Sequence, residues 1–187
     1  MEKTKNFGSS LIRDTLNKYD YENPREKAFL KRLAEGTLES LLTLDYVINA
    51  YSKTPTNKMK PLIRSLLRLS VYQILYMDTV PDSAACNEAV RLAKKKGFER
   101  LSGFVNGVLR TITRNKEEIL NSESGFWQEL QKNPVQALSV RYSVPEWMIS
   151  LWEAQYGEEK TEPMLERLKN GRPLTIRLDS RLTEEEK

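Results

Sequence analysis

The chain has 187 residues and a formal net charge of +4. Its length is enough for one ordinary domain, or for a domain of about 100–150 residues with part of another. With 39% hydrophobic and 30% charged residues it is not a disordered chain, and no apolar run approaches the roughly 18 residues that a membrane helix needs. A single cysteine excludes an internal disulfide and fits a reducing, cytoplasmic location, and the absence of histidine excludes Ser-His and Cys-His nucleophile pairs. We therefore expect no metal site and no membrane segment.

Helix signals begin near the N-terminus, where a short amphipathic segment follows Ser9 and Ser10. Asn23-Pro24-Arg25-Glu26 then combines an Asn cap, a proline at the first helical position and a glutamate three residues after the cap. This pattern predicts a helix that runs to about Ser52, with Gly36 inside it. Because glycine within a helix costs about 1 kcal/mol relative to alanine, Gly36 indicates either close packing against a neighbouring helix or a kink.

Three more helices are predicted before residue 115. Pro61 starts one that is apolar enough to be the central buried helix, and Pro81 starts the next. Gly97, which follows three lysines, ends that helix as a C′ glycine with cations in the last turn. A further helix runs from Phe98 to about Arg114. The fold class up to this point is an all-α bundle.

The composition changes after the bundle. The polar stretch 115–125 predicts a linker, and the residues beyond it predict short helices, one of which begins at Ser143 or close to it and another at Glu162. Residues 172–178 alternate apolar and polar side chains as a strand does. A capping box at 183–186 predicts the start of one more helix.

Two motifs in the bundle carry a family resemblance. Asn87-Glu88-Ala89-Val90 follows a proline-started turn, and Phe104-Val105-Asn106-Gly107-Val108-Leu109 lies in the next helix. Both resemble motifs of the NusB-like helical domain, which occurs in the NusB antitermination factor and at the front of bacterial 16S rRNA (cytosine-C5) methyltransferases of the RsmB (Sun, Fmu) type. Arg110 and Gln73 favour the methyltransferase branch.

The chain also continues past the end of a free-standing NusB domain. Tyr142-Ser143-Val144-Pro145-Glu146-Trp147 resembles the Tyr-Ser-x-Pro-x-Trp step of the RsmB-type enzymes, and residues 173–178 resemble the passage into their ferredoxin-like subdomain. The resemblance implies a mainly all-α chain in three regions. These are a NusB-like RNA-binding bundle at 1–115, a helical linker at 116–171, and the first strand of a truncated α+β subdomain at 172–187.

The chemistry of such an enzyme is missing from this sequence. A cytosine-C5 methyltransferase of this type needs a nucleophilic cysteine, a second Pro-Cys motif and a glycine-rich turn that holds S-adenosylmethionine. Cys86 follows two alanines, without a preceding proline, and we predict that it is a small core residue. We therefore predict no catalytic, cofactor-binding or metal-binding residue here. The resemblance implies S-adenosylmethionine for a full-length parent, whose catalytic domain would lie beyond Lys187 and partner this segment.

Basic side chains remain as candidates for contact with small-subunit rRNA. If they face the same way, they form a surface that positions RNA through its phosphates; the alternative is a set of solvated helix faces. The candidates are Lys58, Lys60, Arg64, Lys94, Lys95, Lys96, Arg100, Arg110 and Arg114.

Other polar and aromatic residues are interpreted as structural. We predict that Arg68 pairs with Glu88 between helices, and that Asn106 bonds a backbone group across the bundle while Gly107 allows close approach. Aromatic residues at core spacing, and the tryptophans of the linker region, are predicted to pack rather than to stack on bases. They are Tyr72, Tyr76, Phe104, Trp127, Trp147 and Trp152.

Three functions fit the sequence. The first is the RNA-engaging segment of an rRNA (cytosine-C5) methyltransferase, which by itself transfers no methyl group. The second is a NusB-like transcription antitermination factor that binds boxA-type RNA with a ribosomal-protein partner. The third is a bundle that only binds other proteins, whose affinity for RNA would be absent or insensitive to salt.

Overall fold

A computed structural model describes residues 8–19 and 23–169, and this part of the chain is helical with no strand. The predicted strand at 172–178 and the capping box at 183–186 lie outside these residues. The helices are α1 (Gly8–Leu16), α2 (Pro24–Glu39), α3 (Leu41–Tyr51), α4 (Pro61–Tyr76), α5 (Asp82–Lys95), α6 (Glu99–Arg114), α7 (Lys116–Leu120), α8 (Pro134–Tyr142), α9 (Glu146–Tyr156) and α10 (Glu158–Lys169). None of the helices in the described ranges is long and apolar enough to cross a bilayer.

The helix predicted from Asn23 to Ser52 is two helices. Its start is confirmed, because Pro24 is the first helical residue and the Asn23 side chain accepts a hydrogen bond from the Arg25 N–H. The single run to Ser52 is wrong, since α2 ends at Glu39 and α3 begins at Leu41. In a continuous helix the Leu42 N–H would bond to a carbonyl of the preceding turn, but here it donates to Ser143 Oγ at 3.0 Å.

Gly36 is explained by close packing. It is buried where α2 meets α4, and a Cβ atom at this position would collide with the ring and hydroxyl of Tyr72. The glycine therefore allows the backbone of α2 to approach an aromatic side chain of α4. Of the two explanations from the sequence, packing against a neighbouring helix is confirmed.

Helix α4 is the central buried helix, as predicted. Ile63, Leu67, Val71 and Ile74 are almost completely inaccessible, and α4 contacts α2, α3, α5 and α6. Short connections join consecutive helices: residues 77–81 join α4 to α5, and residues 96–98 join α5 to α6. Each of these helices therefore runs antiparallel to the one before it. Gly97 ends α5 with a φ of +81°, which confirms the predicted glycine cap.

The stretch predicted as a polar linker packs against the bundle. It contains α7, whose Ile119 is 4% exposed and belongs to the main hydrophobic core. Trp127 donates its indole N–H to the Ile119 carbonyl at 3.0 Å and stacks on Tyr46, with ring centroids 5.5 Å apart. The apolar contacts of Ile119 and Trp127 therefore outweigh the polar composition around them.

Ser143 joins the linker helices to the bundle. The sequence predicts Ser143, or a residue close to it, as the cap of the following helix, and the cap of α9 is the nearby Pro145, while Ser143 itself ends α8. Its backbone is left-handed, with a φ of 56°, and its hydroxyl caps α3 through the Leu42 N–H. Next to it, Thr43 donates a buried hydrogen bond to the Val140 carbonyl. These bonds connect α8 to α3 directly.

We expect Ser143→Ala to lower the free energy of unfolding by about 1 kcal/mol, because it removes the cap of α3 and keeps the left-handed backbone. Ser143→Gly also removes the cap but relieves a strain of about 1 kcal/mol, so its stability should stay near that of the native chain. Urea denaturation of the two variants measures the difference. Equal stability of the alanine and glycine variants would contradict this assignment.

Candidate nucleic-acid interface

Most of the predicted basic residues lie at one end of the antiparallel helices. Lys58 and Lys60 precede α4, Lys94 to Lys96 close α5, and Arg100 is in the first turn of α6. Because α5 runs opposite to α4 and α6, the start of α4, the end of α5 and the start of α6 share one end of the bundle. All these side chains are exposed. We call this set, Lys58, Lys60, Lys94, Lys95, Lys96 and Arg100, the basic end.

The two segments that form the basic end carry little negative charge of their own. Within the segments 57–61 and 94–100, Glu99 is the only acidic residue. No ion pair joins a cation of the basic end to a carboxylate among the described residues. Exposed lysines on flexible stems can adjust to phosphates at varied positions, so the basic end suits a polyanion that is held by its backbone rather than read by sequence.

Arg64 is more enclosed than its neighbours. It lies one turn after Lys60 on α4 and is half-buried. Its Nε atom is buried and has no hydrogen-bond partner among the described residues. Arg64 therefore adds positive charge close to the basic end but does not present its whole guanidinium to solvent.

Arg110 and Arg114 lie at the other end of α6. Ten residues separate Arg100 from Arg110, which is about 15 Å along the helix axis. Arg110 is exposed, and its Nε donates to Asn106 Oδ1 at 3.1 Å. The helix order thus places the residues of the basic end at one end of the bundle and Arg110 and Arg114 towards the other.

An open surface joins these two groups of cations. Arg100, Gly103, Gly107, Arg110 and Arg114 are spaced by three or four residues, so they share one face of α6, and this face is exposed. A Cβ atom at Gly103 or Gly107 would meet nothing within 4 Å. This exposed glycine face was not among the features predicted from the sequence, although the spacing of its residues was a sufficient signal.

The predicted ion pair between Arg68 and Glu88 is wrong. Arg68 does not pair with Glu88: it donates from Nε to Asp45 Oδ1 of α3 at 2.7 Å, and both partners are mostly buried. Glu88 instead accepts from Arg91 at 2.8 Å on the exposed side of α5, and this hydrogen bond lowers the pKa of the Glu88 carboxyl. The reason is that Arg68 lies on the side of α4 that faces α3, whereas Glu88 points to solvent.

The predicted role of Asn106 is also wrong. Its side chain accepts from Arg110 on its own helix rather than bonding a backbone group across the bundle. Gly107 does not allow a close approach within the chain, since no atom lies near the position of its missing Cβ. Both residues are on or beside the exposed face of α6, because the apolar side of that helix is provided by Val105, Val108 and Leu109.

Cys86 is a core residue, as predicted. It is 5% exposed, and its Sγ lies 3.9 Å from the Thr113 hydroxyl. Burial raises the pKa of the Cys86 thiol, so the thiolate that a methyltransferase nucleophile requires is disfavoured here.

The aromatic residues divide into packed and exposed ones. Tyr72, Tyr76 and Phe104 pack in or against the core, and Trp127 packs on the bundle, as predicted. Trp147 packs only slightly within the described part of the chain, because 67% of its surface is exposed, and for this residue the predicted packing is wrong.

The model of the NusB family matches residues 1–114. The chain belongs to the NusB family. It is 33% identical over 162 residues to the probable ribosomal RNA small subunit methyltransferase B of Bacillus subtilis (strain 168). The aligned region covers 87% of this chain and 34% of that protein. The Synechocystis protein of the same name is 32% identical over 157 residues, 84% of this chain and 33% of its own length.

Antitermination proteins are similar over a shorter range. The transcription antitermination protein NusB of Dictyoglomus thermophilum is 37% identical over 105 residues, which covers 56% of this chain and 73% of that protein. The chain spans about a third of the length of the methyltransferase relatives it matches. It is a NusB-like RNA-binding domain followed by further helices, and its mainly all-α fold is confirmed.

Proposed function

We propose that this chain is the RNA-engaging N-terminal segment of an S-adenosylmethionine-dependent 16S rRNA (cytosine-C5) methyltransferase that works in the cytoplasm. The observation that carries the proposal is the extent of the similarity. The match to the Bacillus subtilis methyltransferase is longer than the 114 residues of the NusB domain, so it must continue into the helices that follow. The match to the Dictyoglomus antitermination protein covers only 105 residues.

In this proposal the segment positions RNA for chemistry that occurs elsewhere in the protein. The basic end binds phosphates, and the adjacent face of α6 gives the nucleic-acid backbone room to approach the helix. The three regions at 1–115, 116–171 and 172–187 are then the RNA-binding bundle, the helical linker and the start of the next subdomain. The bonds of Ser143 and Thr43 support a linker that is fixed to the bundle.

The catalytic part would lie in the remaining two thirds of a longer protein. That part would hold S-adenosylmethionine and the nucleophilic cysteine and would be the partner of this segment. The buried thiol of Cys86 fits a structural role, so we assign no catalytic step to this chain.

The second candidate is a NusB-like antitermination factor that binds boxA-type RNA. It is favoured by the matches to NusB proteins, which cover most of those shorter chains. The bundle is common to both candidates, and the helices after residue 114 give the main distinction between them.

A competition titration distinguishes the candidates. A labelled RNA bound to the chain is displaced by either an unlabelled small-subunit rRNA fragment or an unlabelled boxA RNA at matched salt. We expect the rRNA fragment to compete as well as boxA or better, and the chain alone to transfer no methyl group from S-adenosylmethionine. A clear preference for boxA would support the antitermination factor, and methyl transfer by this segment would contradict the proposal. Absence of salt-dependent RNA binding would favour a protein-binding bundle.

A further inference from the structure

Helix α9 presents an apolar face that nothing in the described part of the chain covers. Trp147 is 67% exposed and Leu151 is 44% exposed, and Ala154 on the same face is also exposed. Trp147 and Leu151 are four residues apart and Leu151 and Ala154 are three apart, so the three side chains form one stripe along the helix. Ile149, on the opposite face, is fully buried. A large exposed tryptophan beside an exposed leucine is the kind of surface that a further piece of protein covers.

The described part of the chain ends beside the last residues of α8, near the start of α9. Helix α10 follows α9 after the single residue Gly157 and packs against both α9 and α8. At its end, Lys169 donates from Nζ to the Arg141 carbonyl at 3.2 Å and lies 5.7 Å from the Tyr142 ring centroid. Arg141 and Tyr142 close α8, only a few residues before α9 and Trp147 begin. Lys169, the last described residue, therefore lies near the start of α9, where Trp147 is the second residue.

The sequence of that segment fits the stripe in pattern and length. Leu174, Ile176 and Leu178 alternate with polar residues, so an extended chain would place them on one side. Seven extended residues span about 23 Å, which exceeds the roughly 16 Å length of an eleven-residue helix such as α9.

The charges are also complementary. Helix α9 carries Glu146 and Glu153 and no basic residue, whereas Arg172 would lie on the same side of an extended segment as the three apolar residues. Opposite charges at the edge of an apolar contact favour the pairing of these two elements over a contact between two copies of α9.

We propose that residues 172–178 dock on the exposed face of α9, with Leu174, Ile176 and Leu178 covering Trp147 and Leu151. The contact would orient whatever polypeptide follows relative to the linker helices. The proposed contact does not depend on which RNA the protein binds, because it involves only the exposed face of α9 and the segment that follows α10.

The indole N–H signal of Trp147 in a nitrogen–proton correlation spectrum tests this contact in the 187-residue chain. The protein has three tryptophans, so three indole signals are expected, and Trp147→Phe and Trp127→Phe variants assign two of them. Ending the chain after Lys169 should move the Trp147 signal to the position of a solvent-exposed indole. The Trp127 signal is the internal control and should stay in place, because its N–H is bonded to the Ile119 carbonyl.

A point substitution separates docking from effects of truncation. Ile176→Asp places a charge on the docking side and should move the Trp147 signal as truncation does. Thr175→Asp adds the same charge to the neighbouring residue on the opposite side and should leave the signal unchanged. The proposal is overturned if neither truncation nor Ile176→Asp moves the signal. It is equally overturned if the signal depends on protein concentration, since a second copy would then cover α9.

Discussion

Replacing Lys94 and Lys95 together by glutamine is expected to weaken RNA binding about 25-fold at 0.1 M salt. Each lost phosphate contact to single-stranded RNA removes about 0.7 from the slope of log K against log salt, and the loss of two contacts gives this factor at that salt concentration. Both lysines are exposed at the last turn of α5 and belong to the basic end. The slope of log K against log salt should become shallower by about 1.4 at the same time. Fluorescence anisotropy with a labelled RNA over a series of salt concentrations measures both quantities.

Helix α10 offers a matched control. Lys160→Gln with Arg167→Gln removes the same charge from exposed positions far along the chain from the basic end, and should leave affinity and slope nearly unchanged. Circular dichroism of both double variants should show the same helix content, since none of the four side chains is part of the core. Equal losses in the two double variants would mean that overall charge, rather than the basic end, determines binding.

The second group of cations tests how far RNA extends along α6. Arg110→Gln with Arg114→Gln should weaken binding less than the lysine pair does, because these arginines lie about 15 Å from Arg100 along the helix. Arg110 also already donates to Asn106, so part of its hydrogen-bonding capacity is occupied. A loss as large as that of the lysine pair would place RNA along the whole exposed face of α6.

The features that the sequence predicted correctly are those with local causes. The Asn23 cap, the start of α4 at Pro61 and the end of α5 at Gly97 each depend on residues within one turn, so the pattern contains the necessary information. The central position of α4 also follows from its own apolar spacing. The all-α class of the bundle needed nothing more than these local signals.

The errors in the predicted fold have long-range causes. The break between α2 and α3 involves Ser143, which is 101 residues from its bonding partner Leu42, and no local pattern contains that contact. Likewise, the packing of α7 depends on Ile119 and on an aromatic contact with Tyr46 of α3. Composition alone indicated a polar linker because the polar residues around Ile119 outnumber the buried ones.

The candidate site was predictable in composition but not in arrangement. Lysines and arginines are easily found in a sequence, but their grouping depends on the direction in which neighbouring helices run. Antiparallel packing places the end of α5 beside the start of α6 and separates Arg110 from both. The same geometry gave Arg68 a partner on α3 that sequence spacing did not identify.

Gly36→Ala is expected to lower the free energy of unfolding by about 1–2 kcal/mol, although alanine is the better helix former. The added Cβ would collide with the Tyr72 ring, and the cost of this overpacking exceeds the gain of about 0.5–1 kcal/mol in backbone entropy. Gly103→Ala in α6 is the matched control, because a Cβ there meets nothing within 4 Å. It should raise stability by about 0.5–1 kcal/mol. Urea denaturation of both variants gives the comparison.

A double-mutant cycle with Tyr72 separates the collision from other effects of Gly36→Ala. Tyr72→Ala by itself should destabilise the chain, since the tyrosine is 9% exposed and packs in the core. In that background the obstacle to a Cβ at Gly36 is gone, so Gly36→Ala should become neutral or stabilising by up to about 1 kcal/mol. The sign of the substitution therefore reverses when its neighbour is removed. If Gly36→Ala costs the same with and without Tyr72, the glycine is required for a property of α2 itself, and the close approach to α4 is not its reason.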